Sequence, residues 1–258
     1  MSAPAKKPPA NAAEGTEAKP RPPAESAPAP QAEGLRFGEK APGERHPLLR
    51  PRVLAPILVV LFLLNIPFYA YWLRGPAPVS TTIPFQDDFA RPDGSPGPNY
   101  FSTGGFWRII GGALYSPAVK NNPLWLEARL PRNVQVDFDV RAASPEGDLK
   151  CEIFGNGRDH ESGYILIFGG WHNSISVLAR LDEHGHDRKE RRDTRVEEGR
   201  TYHFRITRQG KLLSWYIDGK LFLSWNDRHP LYGAGHDRFG FDTWDSAAYF
   251  DNLVIKPL

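Results

Sequence analysis

From Val53 to Leu73 the chain reads VLAPILVVLFLLNIPFYAYWL, with no charged residue anywhere in the run. As one helix it would be about 30 Å long, which matches the hydrocarbon thickness of a bilayer. Its last turns carry Phe68, Tyr69, Tyr71 and Trp72, rings that settle at a membrane–water interface. Pro56, Asn65 and Pro67 interrupt the apolar pattern, and proline is tolerated better in a membrane helix than in a soluble one. A core helix of this length would show a polar face, and none is present. A signal peptide would need a short leading region, whereas 52 residues precede the run. The expectation is one transmembrane helix over 53–73, with a signal sequence or an internal core segment as the alternatives.

That run divides the chain. Before it stand Arg45, Arg50 and Arg52, and after it Arg74 alone, a bias that puts the N-terminus in the cytoplasm and the rest outside the inner (cell) membrane, periplasmic or extracellular. Residues 1–52 are rich in Pro and Ala and hold almost no large apolar side chain. Such a segment cannot bury enough surface to offset its ordering entropy, so a disordered cytoplasmic tail is expected there. Its PRPP and APAP stretches are either a solvated spacer or a docking segment for a protein partner. Residues 74–84, RGPAPVSTTIP, read as a linker.

The remaining stretch, 85–258, is long enough for one domain with a sizeable core. From residue 75 on there are 22 Lys/Arg against 24 Asp/Glu, so no basic stripe points to nucleic acid. Cys151 is the only cysteine, which excludes an internal disulfide. The pattern is that of β structure. In VQVDFDVR the residues Val134, Val136, Phe138 and Val140 alternate with Gln135, Asp137, Asp139 and Arg141. In LKCEIF, Leu149, Cys151 and Ile153 face inward, and Lys150, Glu152 and Phe154 outward. Asp218-Gly219 between two apolar runs predicts a tight hairpin. Many short strands in a domain of this size imply an all-β, two-sheet antiparallel sandwich.

FQDDF near the start, WRIIGGAL, the IDG hairpin and the closing FDNLVI together resemble a concanavalin A-like (laminin-G/lectin/glucanase) jelly roll, and most of all the bacterial 3-keto-disaccharide hydrolase-like domains. The resemblance implies a jelly-roll fold over 85–258 and a glycan as ligand, an oligosaccharide or polysaccharide. It also implies, by position, a structural calcium ion at Asp251 with backbone carbonyls near Asp87–Asp88 or Gly111–Gly112. The glucanase branch carries E-x-D-x-x-E on one strand, and this chain lacks it.

Three groups are candidates for chemistry. Asp137 and Asp139 are two apart on one strand face, about 6.5–7 Å between Cα atoms. With Glu152 they could act as the carboxyl pair of a glycoside hydrolase, for which separations of about 5–9 Å suffice; a solvated face paired to Arg141 and Lys150 is the alternative. Trp171, His172 and Asn173 at a strand end offer an indole for stacking and two directional hydrogen-bonding groups. Arg180, Asp182 and Trp244 are expected at the same groove, Arg180 and Asp182 opposite Val177 and Ala179. His184 and His186 beside carboxylates could hold an ion. Three functions stand at this stage: a membrane-anchored lectin-like domain, a glycoside hydrolase or lyase, and an envelope protein-interaction domain.

Overall fold

The structure, a computed structural model, describes residues 50–75 and 77–258. The tail expected over 1–52 lies outside the described residues, except for its last three. The chain divides into two units, Met1–Phe68 and Tyr69–Leu258, and every strand belongs to the second.

The apolar run forms two helices, not one: α1 (Pro51–Leu64) and α2 (Ile66–Trp72), bent by 48°. Pro51 starts α1, where a missing N–H costs nothing. The break falls at Asn65, whose side-chain amide donates to Leu61 O at 2.7 Å. Pro67 follows two residues later; it cannot donate to the helix ladder, and its ring crowds the carbonyl four residues back. Among the described residues no single helix is long and apolar enough to cross a membrane; the bent pair meets the test only jointly.

The second unit is made of fifteen strands in two antiparallel sheets. One sheet has the order β13 (Lys220–Asn226), β12 (Leu212–Ile217), β11 (Thr201–Gln209), β6 (Val134–Ala142), β15 (Ala247–Pro257), β4 (Ala113–Pro117), β3 (Arg108–Ile110), with β1 (Phe85–Asp87) also on β15. The other has the order β10 (Arg188–Arg191), β9 (Ile175–Arg180), β8 (Tyr164–Gly169), β7 (Leu149–Gly155), β14 (Arg238–Asp242), β5 (Leu124–Leu126), β2 (Tyr100–Ser102). Residues 77–81, expected as linker, lie along this unit: Ser80 N–H donates to Glu127 O at 2.8 Å and Arg238 to Ala77 O at 3.0 Å.

The core lies where alternation puts it on β6. Val134, Val136, Phe138 and Val140 are buried in the main apolar cluster. Phe138 packs against Phe204 and Phe250 of its own sheet, at 5.3 and 6.2 Å between ring centroids, and against Phe239 and Phe241 of β14, at 5.8 and 5.3 Å. These edge-on and tilted rings join the two sheets. The Asp218-Gly219 turn has φ of 50° and 76°, the left-handed pair that a two-residue hairpin needs.

Strand β7 departs from the expected pattern. Leu149, Cys151 and Ile153 are in the core as expected, and so is Phe154. Phe154 has φ of 58°, and the β14–β7 register shifts beside it, between Arg238 and Phe239. This local bulge turns its ring inward, edge-on to Tyr164 at 6.4 Å. Lys150 and Glu152 do lie on the other face, yet that face is not solvated: they are 1% and 0% exposed.

Candidate functional site

The outer face of the seven-stranded sheet carries a second apolar cluster, Ile165 and Ile167 of β8 with Ile175, Val177 and Ala179 of β9, and Trp171 packs against it. Beside it opens a pocket of about 540 Å³ whose lining includes Ile167, Trp171, His172, Trp244, Asp148, Lys150 and Glu183.

Trp171 reaches this pocket because of an unusual turn. Between β8 and β9, Trp171, His172 and Asn173 all have left-handed φ, 49°, 55° and 56°, a conformation that ordinary residues adopt at a cost. Asn173 holds it. Its amide donates to Pro145 O at 2.9 Å and Val196 O at 2.7 Å, and its carbonyl accepts Val196 N–H at 2.8 Å. The indole then meets the His184 ring edge-on at 5.4 Å, with the Arg188 guanidinium 5.6 Å from its centroid. Trp244 is 48% exposed, with Lys120 Nζ 5.3 Å from its ring and Lys120 paired to Asp245 at 2.6 Å.

The polar side of the pocket is a buried charge network. Lys150 Nζ donates to Glu183 Oε2 at 2.8 Å and to Asn121 Oδ1 at 2.7 Å. Behind it, His160 Nδ1 lies 2.5 Å from Glu152 Oε1 and 3.4 Å from Asp242 Oδ2, and its Nε2 is 3.5 Å from Glu183 Oε2. Burial works against the charged imidazolium, but Asp242, Glu152 and Glu183 together outweigh it and push His160 up to about 11. Burial also works against the Glu183 carboxylate, but His160 and Lys150 prevail and bring it down to about 2. Asp148 behaves in the opposite sense: burial dominates over the nearby Lys150 charge and raises its carboxyl to about 6. It accepts the Trp244 backbone N–H.

Of the expected groove residues, Trp171, His172 and Trp244 do converge on one pocket. The others are elsewhere. Glu152 is two positions along β7 from Lys150 but sealed beneath, fully buried. Asn173 is used up in fixing the turn. Asp182 is exposed and caps its own turn by accepting His184 N–H at 2.8 Å. Arg180 has the parity of Leu178, which is in the main core, not of Val177 and Ala179; it binds Asp227 at 3.2 Å and His229 O at 3.3 Å. The error has a physical source: β9 is buried on both faces, and the more apolar one, Ile175, Val177 and Ala179, lies on the outside, so alternation alone does not say which face looks into the sandwich.

Asp137 and Asp139 are not with Glu152 at all. They are on β6 of the other sheet, and Glu152 is on β7. Asp137 accepts from Arg205 Nε and Gln135, both at 2.6 Å, and Asp139 pairs with His203 Nδ1 at 2.8 Å and accepts from Asn252 at 2.8 Å. The expected carboxyl trio is therefore two separate groups. Asp251 is the β15 partner of Asp139; burial raises its carboxyl, and the charges of Asp139, Asp88 and Asp87 add to this. A cation fits that electrostatic setting, although Asp87 already binds Arg91 at 2.6 Å and Tyr100 at 2.9 Å.

Asp148 and Asp242 were missed as site residues, and Glu183 is legible only as one of the carboxylates beside His184 and His186. Parity would have grouped Lys150 with Glu152, but Asp242 enters through the pairing of β14 with β7, Asp242 opposite Lys150, and pairing is not written in either strand.

No family model matches the chain, and no curated protein matches it. Solved structures do. A carbohydrate-binding module, CBM66, from Bacillus subtilis superposes with a TM-score of 0.52 at 16% identity, over 64% of this chain and 99% of that one. A chain from a study of endo-acting O-glycanases of the human gut microbiota superposes with a TM-score of 0.50 at 12% identity, over 67% of this chain and 98% of that one. The fold is thus defined: the second unit is a two-sheet jelly-roll sandwich.

Asp148 sets a pH test. Its folded pKa, about 6, is above that of an ordinary aspartate, so the stability it allows is complete below pH 4 and is lost as pH rises through 6. Asp148→Asn removes that loss, worth about 3 kcal/mol at most for a shift of about two units. In metal-free buffer the variant should melt higher than the parent at pH 8, and the gap should close by pH 4. A gap that stays constant between those pH values would refute the assignment.

Proposed function

We propose that this is a membrane-anchored, exported carbohydrate-binding protein that holds an envelope or extracellular glycan in the pocket lined by Trp171 and Trp244. One observation carries the reading: two indoles and a set of buried polar groups line the same pocket on the outer face of one sheet. An indole face stacks on the apolar face of a pyranose, and polar groups such as Asn121, His184 and Asp148 suit its hydroxyls. Trp171 is positioned in advance by the Asn173 clamp, which reduces the ordering cost of binding. The CBM66 likeness supports the fold on which this pocket is built.

A second reading has its own support. Asp148, raised to about 6, and Glu183, lowered to about 2, line one pocket. Carboxyls pushed apart in this way are what a glycoside hydrolase or lyase uses as acid and base. A glycan array probed with the full-length chain separates the readings. Trp171→Ala and Trp244→Ala should each weaken binding about tenfold or more, since one aromatic platform is worth about 1–3 kcal/mol. Wild-type protein should release no reducing sugar from the bound glycan. Release that Asp148→Asn abolishes would put the enzyme first; binding indifferent to both tryptophans would dispose of this pocket.

Membrane attachment rests on the charge-free run 53–73 within α1 and α2 and on the arginines that precede that run. Protease added outside spheroplasts should digest the jelly-roll domain and spare the N-terminal segment; the reverse pattern would invert the topology.

A calcium ion at Asp251 is the last part of the proposal. Calcium binding only the folded state should raise the melting temperature of the wild type by mass action, and Asp251→Ala should abolish the rise. A wild type indifferent to calcium removes the site.

A further inference from the structure

At the pocket floor and behind it, four carboxylates crowd two cations. Asp148, Glu152, Glu183 and Asp242 are each 8% exposed or less, as is Lys150, and the His160 side chain is 14% exposed. With all six groups ionised the enclosure would be two negative charges in excess. Buried carboxylates far from water need paired cations or metal ions.

The oxygens themselves show where compensation is missing. Among the described residues, neither carboxylate oxygen of Asp242 has a hydrogen-bond partner, and neither has Glu152 Oε2. Both residues are fully buried. The one neighbour in ion-pair range of Asp242 is His160, at 3.4 Å. One ligand atom each from Glu152, His160 and Asp242 lie within 4.8 Å of one another, close enough for a single ion to touch all three.

Three elements converge to make this site. Strand β7 presents Glu152 on the outer face, and β14 lies beside it with Gly240 opposite Glu152 and Asp242 opposite Lys150. The connection after β7 brings His160 back over the sheet. There Asn156 Oδ1 accepts the N–H groups of Arg158 and Asp159, both at 2.8 Å, and Glu161 N–H donates to Glu152 Oε1 at 3.3 Å. The histidine thus returns to the strand it has just left, aimed at two carboxylates.

We propose that Glu152, His160 and Asp242 bind one divalent metal ion of the zinc or manganese class. One imidazole nitrogen and two carboxylates are a mixed set that suits these ions better than calcium or magnesium, which take oxygen almost exclusively. Ligation takes the neutral imidazole, so the ion displaces the His160 proton and lowers the enclosure's excess from two negative charges to one. Held there, the ion fixes His160 and, through the 3.5 Å contact of His160 with Glu183, the carboxylate that anchors Lys150 at the pocket floor. The site is separate from Asp251 and does not depend on the glycan reading: glycan binding measured in EDTA reports on the pocket alone.

The test uses the full-length chain in detergent, stripped with EDTA and titrated with Zn²⁺ and with Mn²⁺ by calorimetry, with melting temperature as a parallel readout. One ion per chain is expected, with a rise in melting temperature. Asp242→Asn and His160→Gln should each weaken binding about tenfold or more, and His186→Ala, on an exposed turn, should leave it unchanged. Should one substitution unfold the chain, Glu152→Gln provides a third route to the same loss, with circular dichroism confirming the β structure of whichever variant is scored. No binding by the wild type overturns the proposal. So does binding that survives all three site substitutions, or that disappears with His186→Ala.

Discussion

Strand β7 is buried on both faces, and the two faces obey different physics. Toward the sandwich, Leu149, Cys151 and Ile153 join an apolar core built from both sheets. Away from it, Lys150 and Glu152 enter a network of charges that is almost as dry. In a low-dielectric setting each of these groups is costly alone and tolerable only with partners. The partners come from distant points in the chain: Asn121, His160, Glu183 and Asp242. The network therefore acts as a geometric constraint on loops. It sets where the turns around 121, 160 and 183 must lie, and those turns with Trp171 and Trp244 define the pocket.

The same logic of local cost and distant compensation applies to the β8–β9 turn. Three consecutive left-handed residues without a glycine are strained. Asn173 offsets this with three hydrogen bonds to the backbone of Pro145 and Val196. Strain maintained in this way marks a place where the surrounding structure over-determines the backbone. Its consequence here is an indole held against Ile167 and the rest of the outer apolar cluster.

What the sequence made legible follows from this. Wherever one strand face is buried and the other is wet, alternation reads correctly: β6 shows its core residues at every second position, and the Asp-Gly hairpin announces its own turn. Trp171, His172 and Trp244 were legible because aromatic and polar residues at strand ends and loops mark a rim. Alternation fails where both faces are buried. Arg180 was placed on the wrong side because β9 is buried on both faces and its more apolar one lies outside, and Phe154 because a bulge reversed its parity. Pairing is invisible as well: nothing in KCEIF or RFGFD says that Asp242 lies opposite Lys150. The apolar run was legible as a composition but not as a single helix, since the Asn65 break depends on how Pro67 competes with the helix ladder.

The two acidic faces of this sandwich also differ in how far their charges are compensated. On the eight-stranded sheet, Asp137 and Asp139 meet Arg205 and His203 across neighbouring strands. There each carboxylate has its hydrogen-bond partners: Asp137 accepts from Arg205 and Gln135, and Asp139 meets His203 and accepts from Asn252. On the seven-stranded sheet the carboxylates outnumber the cations, water is excluded, and oxygens of Glu152 and Asp242 lack partners among the described residues. Matched surface pairs contribute little and carry little information. An unmatched buried set is expensive, and a fold retains it only where something else completes it. That imbalance, together with the adjoining indoles, is what supports the proposal of a glycan pocket and an ion site on the outer surface of β7, β8 and β14.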